Sequence, residues 1–371
     1  MIARVLDFGA YAWLALAAMF VAPQSEPRIV SPDVSADRRV TFRLRAPEAR
    51  SVTVTGEFMS GSKALEKDEH GVWRLTIGPL EPEIYHYTFS IDGVRTIDPA
   101  NPAVKTGSTA STLASVLQVP SDAPAFYDAR DVPHGEIHHL SYQSSALGRV
   151  RRVTVYVPPG YERTQTRYPV LYLLHGANAD ENAWHRLGRV NWIVDNLLAT
   201  GSTRPFLIVM PFGYGVAPNA PQEQGQNTER FARDLVGDVI PLIESRYRVT
   251  RDRGGRALFG LSMGGGQALA IGLNRLDLFS HIGGFSSGLG SNPDFAKSYA
   301  TVAANPDTAN KQLRLLWIGC GTDDGAFAAS KRLAEFLTSR GVTHTFRETP
   351  GAHTWMVWRK YLHEIAPLLF K

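Results

Sequence analysis

A chain of 371 residues is more than twice the roughly 150 residues of an ordinary domain, so one compact unit is excluded as a first reading and two units plus a tail are expected. With 44% hydrophobic, 10% aromatic and 20% charged residues it holds apolar material for at least one large core, which excludes disorder, collagen and coiled coil. The 39 basic and 35 acidic residues leave a formal charge of +4 with no basic tract, and no nucleic-acid partner is expected.

At the start of the chain, Arg4 precedes an apolar run from Phe8 to Ala22, and the polar segment Pro23 to Arg28 follows. That order predicts a signal peptide over residues 1–25. The run is about fifteen residues, short of the roughly twenty that a spanning helix needs. The chain is therefore expected to be secreted or periplasmic, without a stable membrane span. Cys320 is the only cysteine, which excludes an intramolecular disulfide and a cysteine metal cage.

Short alternating runs come next, at Arg39–Arg45, Ser51–Thr55, Val72–Ile77, Ile84–Asp92 and Ala114–Val119, separated by Gly, Pro and Asp turn signals. They predict a small all-β sandwich, immunoglobulin-like, over residues 29–119. A Pro-, Ala- and Asp-containing segment, 120–133, reads as a linker.

From residue 134 to 371 the pattern changes. Apolar runs at Val153–Val157, Val170–Leu174, Phe206–Met210, Ala257–Phe259 and Leu315–Ile318 alternate with helical periodicity at Glu229–Tyr247, Gly264–Leu276, Phe327–Arg340 and Trp355–Phe370. This alternation predicts a mostly parallel sheet covered on both faces, with ligands beyond the carboxyl ends of its strands. Pro241 predicts a kink or break in the first of those helices.

Two segments match Gly-x-Ser-x-Gly, a turn that can present a nucleophilic serine between a strand and a helix. Ser262 follows the apolar run Ala257–Phe259 and precedes the helix-competent stretch Gly264–Ile271. Ser286 follows a candidate strand, Ile282–Phe285, but leads into Gly288 to Pro293, which cannot start a helix promptly. Ser262 is therefore the predicted nucleophile, and Ser286 reads as a turn serine bonding its own backbone.

A serine nucleophile needs a base and a carboxylate to orient that base, in the chain order Ser, acid, His for this fold class. The strand-like Leu313–Ile318 ends in Gly319 to Asp324, which places Asp323 and Asp324 at a strand tip, either of them a candidate acid or a helix cap. His353 lies in a Gly-containing loop before the last helix, whereas His344 falls in a strand and His363 on a helix. An oxyanion hole would use the N–H of Met263 and, after the strand Val170–Leu174, the N–H of Ala177. His175 reads as a structural residue of that turn.

Together the segments Tyr168–Gly176, Gly260–Gly265, Gly319–Asp324 and His353–Trp355 resemble carbohydrate esterase family 1, which includes feruloyl and acetylxylan esterases. The resemblance covers roughly residues 135–371. It implies an α/β-hydrolase fold and a serine esterase that cleaves feruloyl or acetyl decorations of plant cell-wall xylan through an acyl-enzyme, with no metal or cofactor. In the family pattern the acid is the Asp three positions after the Gly of G-T-x-D, which maps onto Asp324 beside Ser262 and His353, and the oxyanion donors map onto Met263 and Ala177. The expected partner is a polysaccharide or a small aryl or acyl ester. In the first unit, Gly71–Trp73, Tyr85–Phe89, Ile91–Gly93 and Asp98–Pro99 resemble the family 48 carbohydrate-binding module and its early-set relatives. Trp73, Tyr85 and Tyr87 alternate along strands, so packing is their expected job. The alternatives to hydrolysis are acyl transfer to a sugar on the same scaffold and saccharide binding without catalysis.

Overall fold

The computed structural model describes residues 28–107, 112–218, 220–290 and 293–371, and the signal peptide expected over residues 1–25 lies outside the described residues. No helix among the described residues is long and apolar enough to cross a membrane. The first unit is two packed antiparallel sheets. One runs Asp33–Val34, Val40–Arg45, Val72–Ile77, Glu66–Lys67; the other runs Ser62–Ala64, Val52–Gly56, Glu83–Ile91, Ala114–Val119, Val104–Lys105, with Val94–Thr96 beside Glu83–Ile91. Phe42, Val54, Trp73, Tyr85, Tyr87, Phe89 and Leu117 fill the space between them. The three aromatics thus serve the core, each with its polar tip satisfied: Trp73 Nε1 donates to the Ala46 carbonyl, Tyr85 to the Glu81 carbonyl and Tyr87 to Asp98.

The second unit is one eight-stranded sheet: β1 Glu136–Ser144, β2 Arg149–Val157, β3 Val170–Leu174, β4 Leu207–Pro211, β5 Arg256–Leu261, β6 His281–Phe285, β7 Leu315–Gly321 and β8 Thr345–Thr349. Its spatial order is β1-β2-β4-β3-β5-β6-β7-β8, antiparallel for the first two pairings and parallel thereafter. Strand β3 shows why continuous apolar runs become central strands: Val170, Tyr172 and Leu174 enter one apolar layer while Leu171 and Leu173 enter the other. Helices α1 Val190–Ala199, α2 Asn227–Asp234, α3 Ile240–Arg246, α4 Met263–Asn274, α5 Phe327–Ser339 and α6 Trp355–Ile365 cover both faces, with α2 to α5 on the first layer and α1 and α6 on the second.

Three local differences from expectation have physical causes. Strand β1 went unpredicted because it is an edge strand with a solvated face, its residues largely polar and alternately exposed. His344 precedes β8 instead of lying in it. Around Pro241 the helix does not break: a single π-helical stretch, Leu235–Val239, joins α2 to α3 and accommodates the missing N–H by widening the preceding turn.

The two units share a buried contact. Along Glu83–Ile91, Tyr85, Tyr87 and Phe89 face the sandwich core, while Ile84 joins the α1/α6 layer of the second unit. Next to it the fully buried Arg359 of α6 pairs with Glu83, donates to the Leu187 carbonyl at 2.9 Å and lies over the Tyr127 ring. The 120–133 segment is pinned as well, Asn196 Nδ2 donating to the carbonyls of Phe126 and Asp128. Removing one member of a buried pair strands the other without solvent, at a cost of about 3 kcal/mol or more. Glu83→Gln is accordingly expected to lower the unfolding free energy by about 3 kcal/mol in urea titration, whereas Glu69→Gln at an exposed turn should change it by less than about 0.5 kcal/mol.

Candidate active site

Strand β5 ends at Leu261, and Ser262 turns the chain into α4 with φ 52° and ψ −121°, a conformation that L residues adopt only under constraint. The constraint comes from the neighbouring strand. Ser262 N–H donates to the Phe285 carbonyl at 2.8 Å, and the Ser262 carbonyl accepts from Gly288 N–H at 2.7 Å and Gly266 N–H at 3.0 Å. Small residues make the turn possible: a Cβ on Gly264 would lie 2.4 Å from the His175 carbonyl oxygen. The hydroxyl is thereby held at the carboxyl end of the sheet.

His353, in the loop between β8 and α6, places Nε2 3.0 Å from Ser262 Oγ, and its Nδ1 lies 2.9 and 3.0 Å from the two Asp324 carboxylate oxygens. Trp358 stands edge-on against the His353 ring at 4.9 Å. Asp324 is buried at the end of β7. Burial works to raise its carboxyl pKa, but hydrogen bonds from His353, Ser286 and the Ala326 N–H outweigh it and hold the carboxyl below its ordinary value. Asp323, by contrast, is exposed and accepts from Gly351 N–H at 3.3 Å. The structure thus brings Ser262, His353 and Asp324 into one hydrogen-bonded chain and leaves Asp323 outside it.

Ser286 corrects the sequence reading of a turn serine bonded to its own backbone. It is buried, also at positive φ (48°), and its Oγ accepts from Trp358 Nε1 at 2.9 Å while its hydroxyl helps hold the Asp324 carboxyl pKa down. The second Gly-x-Ser-x-Gly segment therefore supports the first: Gly288 N–H holds Ser262, and Ser286 stabilises the Asp324 carboxylate. Only the repetition of the motif hinted at this.

At the amino end of α4, Met263 N–H, and across from it Ala177 N–H in the loop after β3, donate to no backbone or side-chain acceptor among the described residues. The loop presses onto the elbow so closely that a Cβ on Gly176 would lie 3.1 Å from Ser262 Cβ. His175 secures it from behind. Its ring accepts from Gly213 N–H at 2.8 Å on Nε2 and reaches the Gly176 carbonyl through Nδ1, while Tyr214 OH accepts from Asn178 N–H at 2.7 Å. No group of three or more His, Cys, Asp or Glu among the described residues is arranged to hold a metal ion.

Ser262 and His353 open into a cavity of about 500 Å³. Trp355, Trp358, Leu187 and Ala177 line it from the second unit; Glu57, His86, Arg95 and Lys105 line it from the sandwich. The strands that carry Arg95 and Lys105 are three and two residues long and leave no periodicity by which the sequence could place them in this wall.

Comparison with known proteins agrees with this geometry. The model of the Esterase family, described as "Putative esterase", matches residues 144–369. An endo-1,4-beta-xylanase/feruloyl esterase of Xylanibacter ruminicola is 31% identical over 357 residues, covering 94% of this chain and 47% of the relative. The chain spans about half the length of the curated relatives it matches. Among solved structures, the CE1 ferulic acid esterase AmCE1/Fae1A from Anaeromyces mucronatus is 28% identical with a TM-score of 0.60, over 67% of this chain and 96% of that one. The enterobactin esterase FES from Shigella flexneri, at 17% identity, is a likeness of fold, with a TM-score of 0.69 over 90% of this chain and 93% of that one.

His175 also sets an acid limit on the site. Burial pushes its imidazole from 6.5 down to about 4, and burial does the same to His281. The unfolded chain takes up a proton on each ring near pH 6.5 that the folded chain refuses, so stability present above pH 6.5 is lost as the pH falls toward 4, by up to about 3 kcal/mol for a fully buried ring. Urea titrations of the wild type should show this decline, and His175→Gln should show a shallower one against its own value at pH 7.

Proposed function

The chain belongs to the Esterase family, and on that premise we propose that it is an exported serine esterase that removes ester decorations, feruloyl before acetyl, from plant cell-wall xylan. The observation that carries this reading is the unbroken hydrogen-bonded series from Ser262 Oγ through His353 to Asp324. Ser262 Oγ attacks the ester carbonyl as His353 Nε2 takes its proton, and Asp324 keeps the His353 N–H on Nδ1, the tautomer in which Nε2 is free to accept. The tetrahedral oxyanion develops against the N–H groups of Met263 and Ala177, at a helix amino terminus where negative charge is favoured. His353 then returns the proton to the leaving alcohol, and water repeats the sequence on the acyl-enzyme. With 44% of its side chain exposed, His353 is open to that incoming water.

Preference for an aromatic acyl group is supported by the cavity. Its volume of about 500 Å³ far exceeds the space an acetyl group fills, and Trp355, Trp358 and Leu187 offer apolar surface to a ring. The ferulic acid esterase named among the relatives supports the same choice. Export rests on the composition of residues 1–25 and would appear as their absence from the mature chain by mass spectrometry.

Assays with methyl ferulate and 4-nitrophenyl acetate test the reading. Ser262→Ala should lower kcat by about 10⁴-fold or more, and Asp324→Asn by about 10⁴-fold, because the amide favours the wrong tautomer of His353. Asp323→Asn should stay within about threefold of the wild type. Equal losses at the two aspartates would remove Asp324 from the acid's role. Ser286→Ala removes one hydrogen bond to a charged group and should cost about tenfold in kcat with little change in KM. A wild-type chain inactive on both esters would refute the esterase reading.

A further inference from the structure

To serve as an oxyanion donor, the N–H of Ala177 must point at the reacting carbonyl, and its direction is set by a bond on the far side of the same peptide unit. That unit is planar and trans, so the Gly176 carbonyl and the Ala177 N–H point in opposite directions from one rigid plate. His175 Nδ1 lies 2.8 Å from the Gly176 carbonyl oxygen, and Nε2 of the same ring accepts from Gly213 N–H at 2.8 Å. A backbone N–H can only donate, so Nε2 is bare and the ring proton sits on Nδ1, where it donates to the Gly176 carbonyl. One imidazole thereby turns the plate and aims the Ala177 N–H away from itself.

His175 is held by the loop that follows β4, and side chains hold that loop. Arg151 of β2 donates to the carbonyls of Phe212 and Tyr214, and Gln267 Nε2 donates to the Gly213 carbonyl between them at 2.9 Å. Tyr214 OH in turn accepts from Asn178 N–H at 2.7 Å, so the residues on both sides of Ala177 are tied to this loop. Gln267 lies one turn beyond Met263 on α4. It is buried, and its Oε1 has no hydrogen-bond partner among the described residues. A stranded amide oxygen lowers stability, so stability alone does not account for an amide at this position. What the amide supplies is a donor aimed at Gly213.

We propose that Gln267 is a positioning residue for ester hydrolysis, acting through Gly213 and His175 to fix the Ala177 N–H against the Met263 N–H across the oxyanion. This role rests on the esterase reading and adds a residue to its machinery. The helix that begins with one donor carries, one turn later, the brace for the other. Because the imidazole donates to the carbonyl of the peptide unit whose N–H meets the oxyanion, that unit is also polarised toward a stronger donor.

Gln267→Met keeps the length of the side chain and removes the donor, with a thermal midpoint confirming that the variant folds. On methyl ferulate it should lower kcat by about tenfold and leave KM within about twofold, a smaller loss than the roughly 10²–10³-fold that follows outright removal of an oxyanion donor. Phenylboronic acid becomes tetrahedral as Ser262 Oγ adds to boron and the serine proton passes to His353. It should bind the variant about tenfold more weakly, while calorimetric binding of ferulate stays unchanged. In a His175→Phe background, Gln267→Met should change kcat by less than about twofold, since the path it acts through is already cut. Unchanged kcat and boronate affinity, equal losses of boronate and ferulate affinity, or losses that multiply in the double variant overturn the proposal. Nitrogen NMR of histidine-labelled wild type needs no variant: His175 should carry its proton on Nδ1, and a proton on Nε2 overturns the relay. Phenylboronic acid adds to Ser262 whichever ester the enzyme prefers. Weaker boronate binding in Gln267→Met would therefore sustain the brace even in a chain inactive on methyl ferulate and 4-nitrophenyl acetate, an outcome that refutes the esterase reading alone. Hydrolysis of those esters with kcat unchanged in Gln267→Met would leave the esterase standing without the brace.

Discussion

The molecule depends on a backbone contact between two adjacent turns. A serine at φ 52° carries a conformational cost of about 1–3 kcal/mol, and it persists because Phe285 and Gly288, at the end of β6, grip Ser262 from both sides. The grip fixes where α4 begins, and with it the direction of the Met263 N–H. It also fixes how far the Gly176 loop can approach, which places Ala177 opposite. Because Ser286 belongs to the same β6 turn and stabilises the Asp324 carboxylate, one patch positions Ser262, the Met263 and Ala177 N–H groups and Asp324 together. Displacing β6 by a fraction of an ångström would misalign all three.

Much of this was legible in the amino-acid order because the signals are local. Central parallel strands are buried on both faces and read as unbroken apolar runs, and the elbow is recognisable from the strand before it and the helix-forming residues after it. Relations across the fold were not legible. The service Ser286 gives to Asp324 joins two strand tips and an indole from α6, and nothing in the residues adjoining Ser286 records those partners. The choice between Asp323 and Asp324 is likewise made by the β7 exit, which buries one carboxylate and exposes the other. Strand β1 escaped notice for the opposite reason, since an edge strand has half its surface in water and its polarity resembles a loop's.

The contact between the units shows the same dependence on distant partners. Arg359 looks like an ordinary helix residue until Glu83 arrives from 276 positions away to neutralise it. A fully buried guanidinium is costly to leave without its counter-charge, so the second unit is built to have the first against it. The 120–133 segment, held by Asn196, behaves as part of the joint and not as a free tether. The sandwich stands as a wall of the cavity in front of Ser262.

Because that wall and the reacting groups come from different stretches of the gene, chemistry and selectivity are separately heritable. The strands Val94–Thr96 and Val104–Lys105 contribute to the cavity wall and carry none of Ser262, His353 or Asp324, so drift there can alter which molecules are accepted while bond cleavage proceeds by an unchanged route. Recombination could exchange the whole sandwich on the same terms, subject to one hereditary condition. The incoming module must present an acid where Glu83 stands and an aliphatic side chain where Ile84 stands, or the catalytic half inherits a buried cation without its counter-charge.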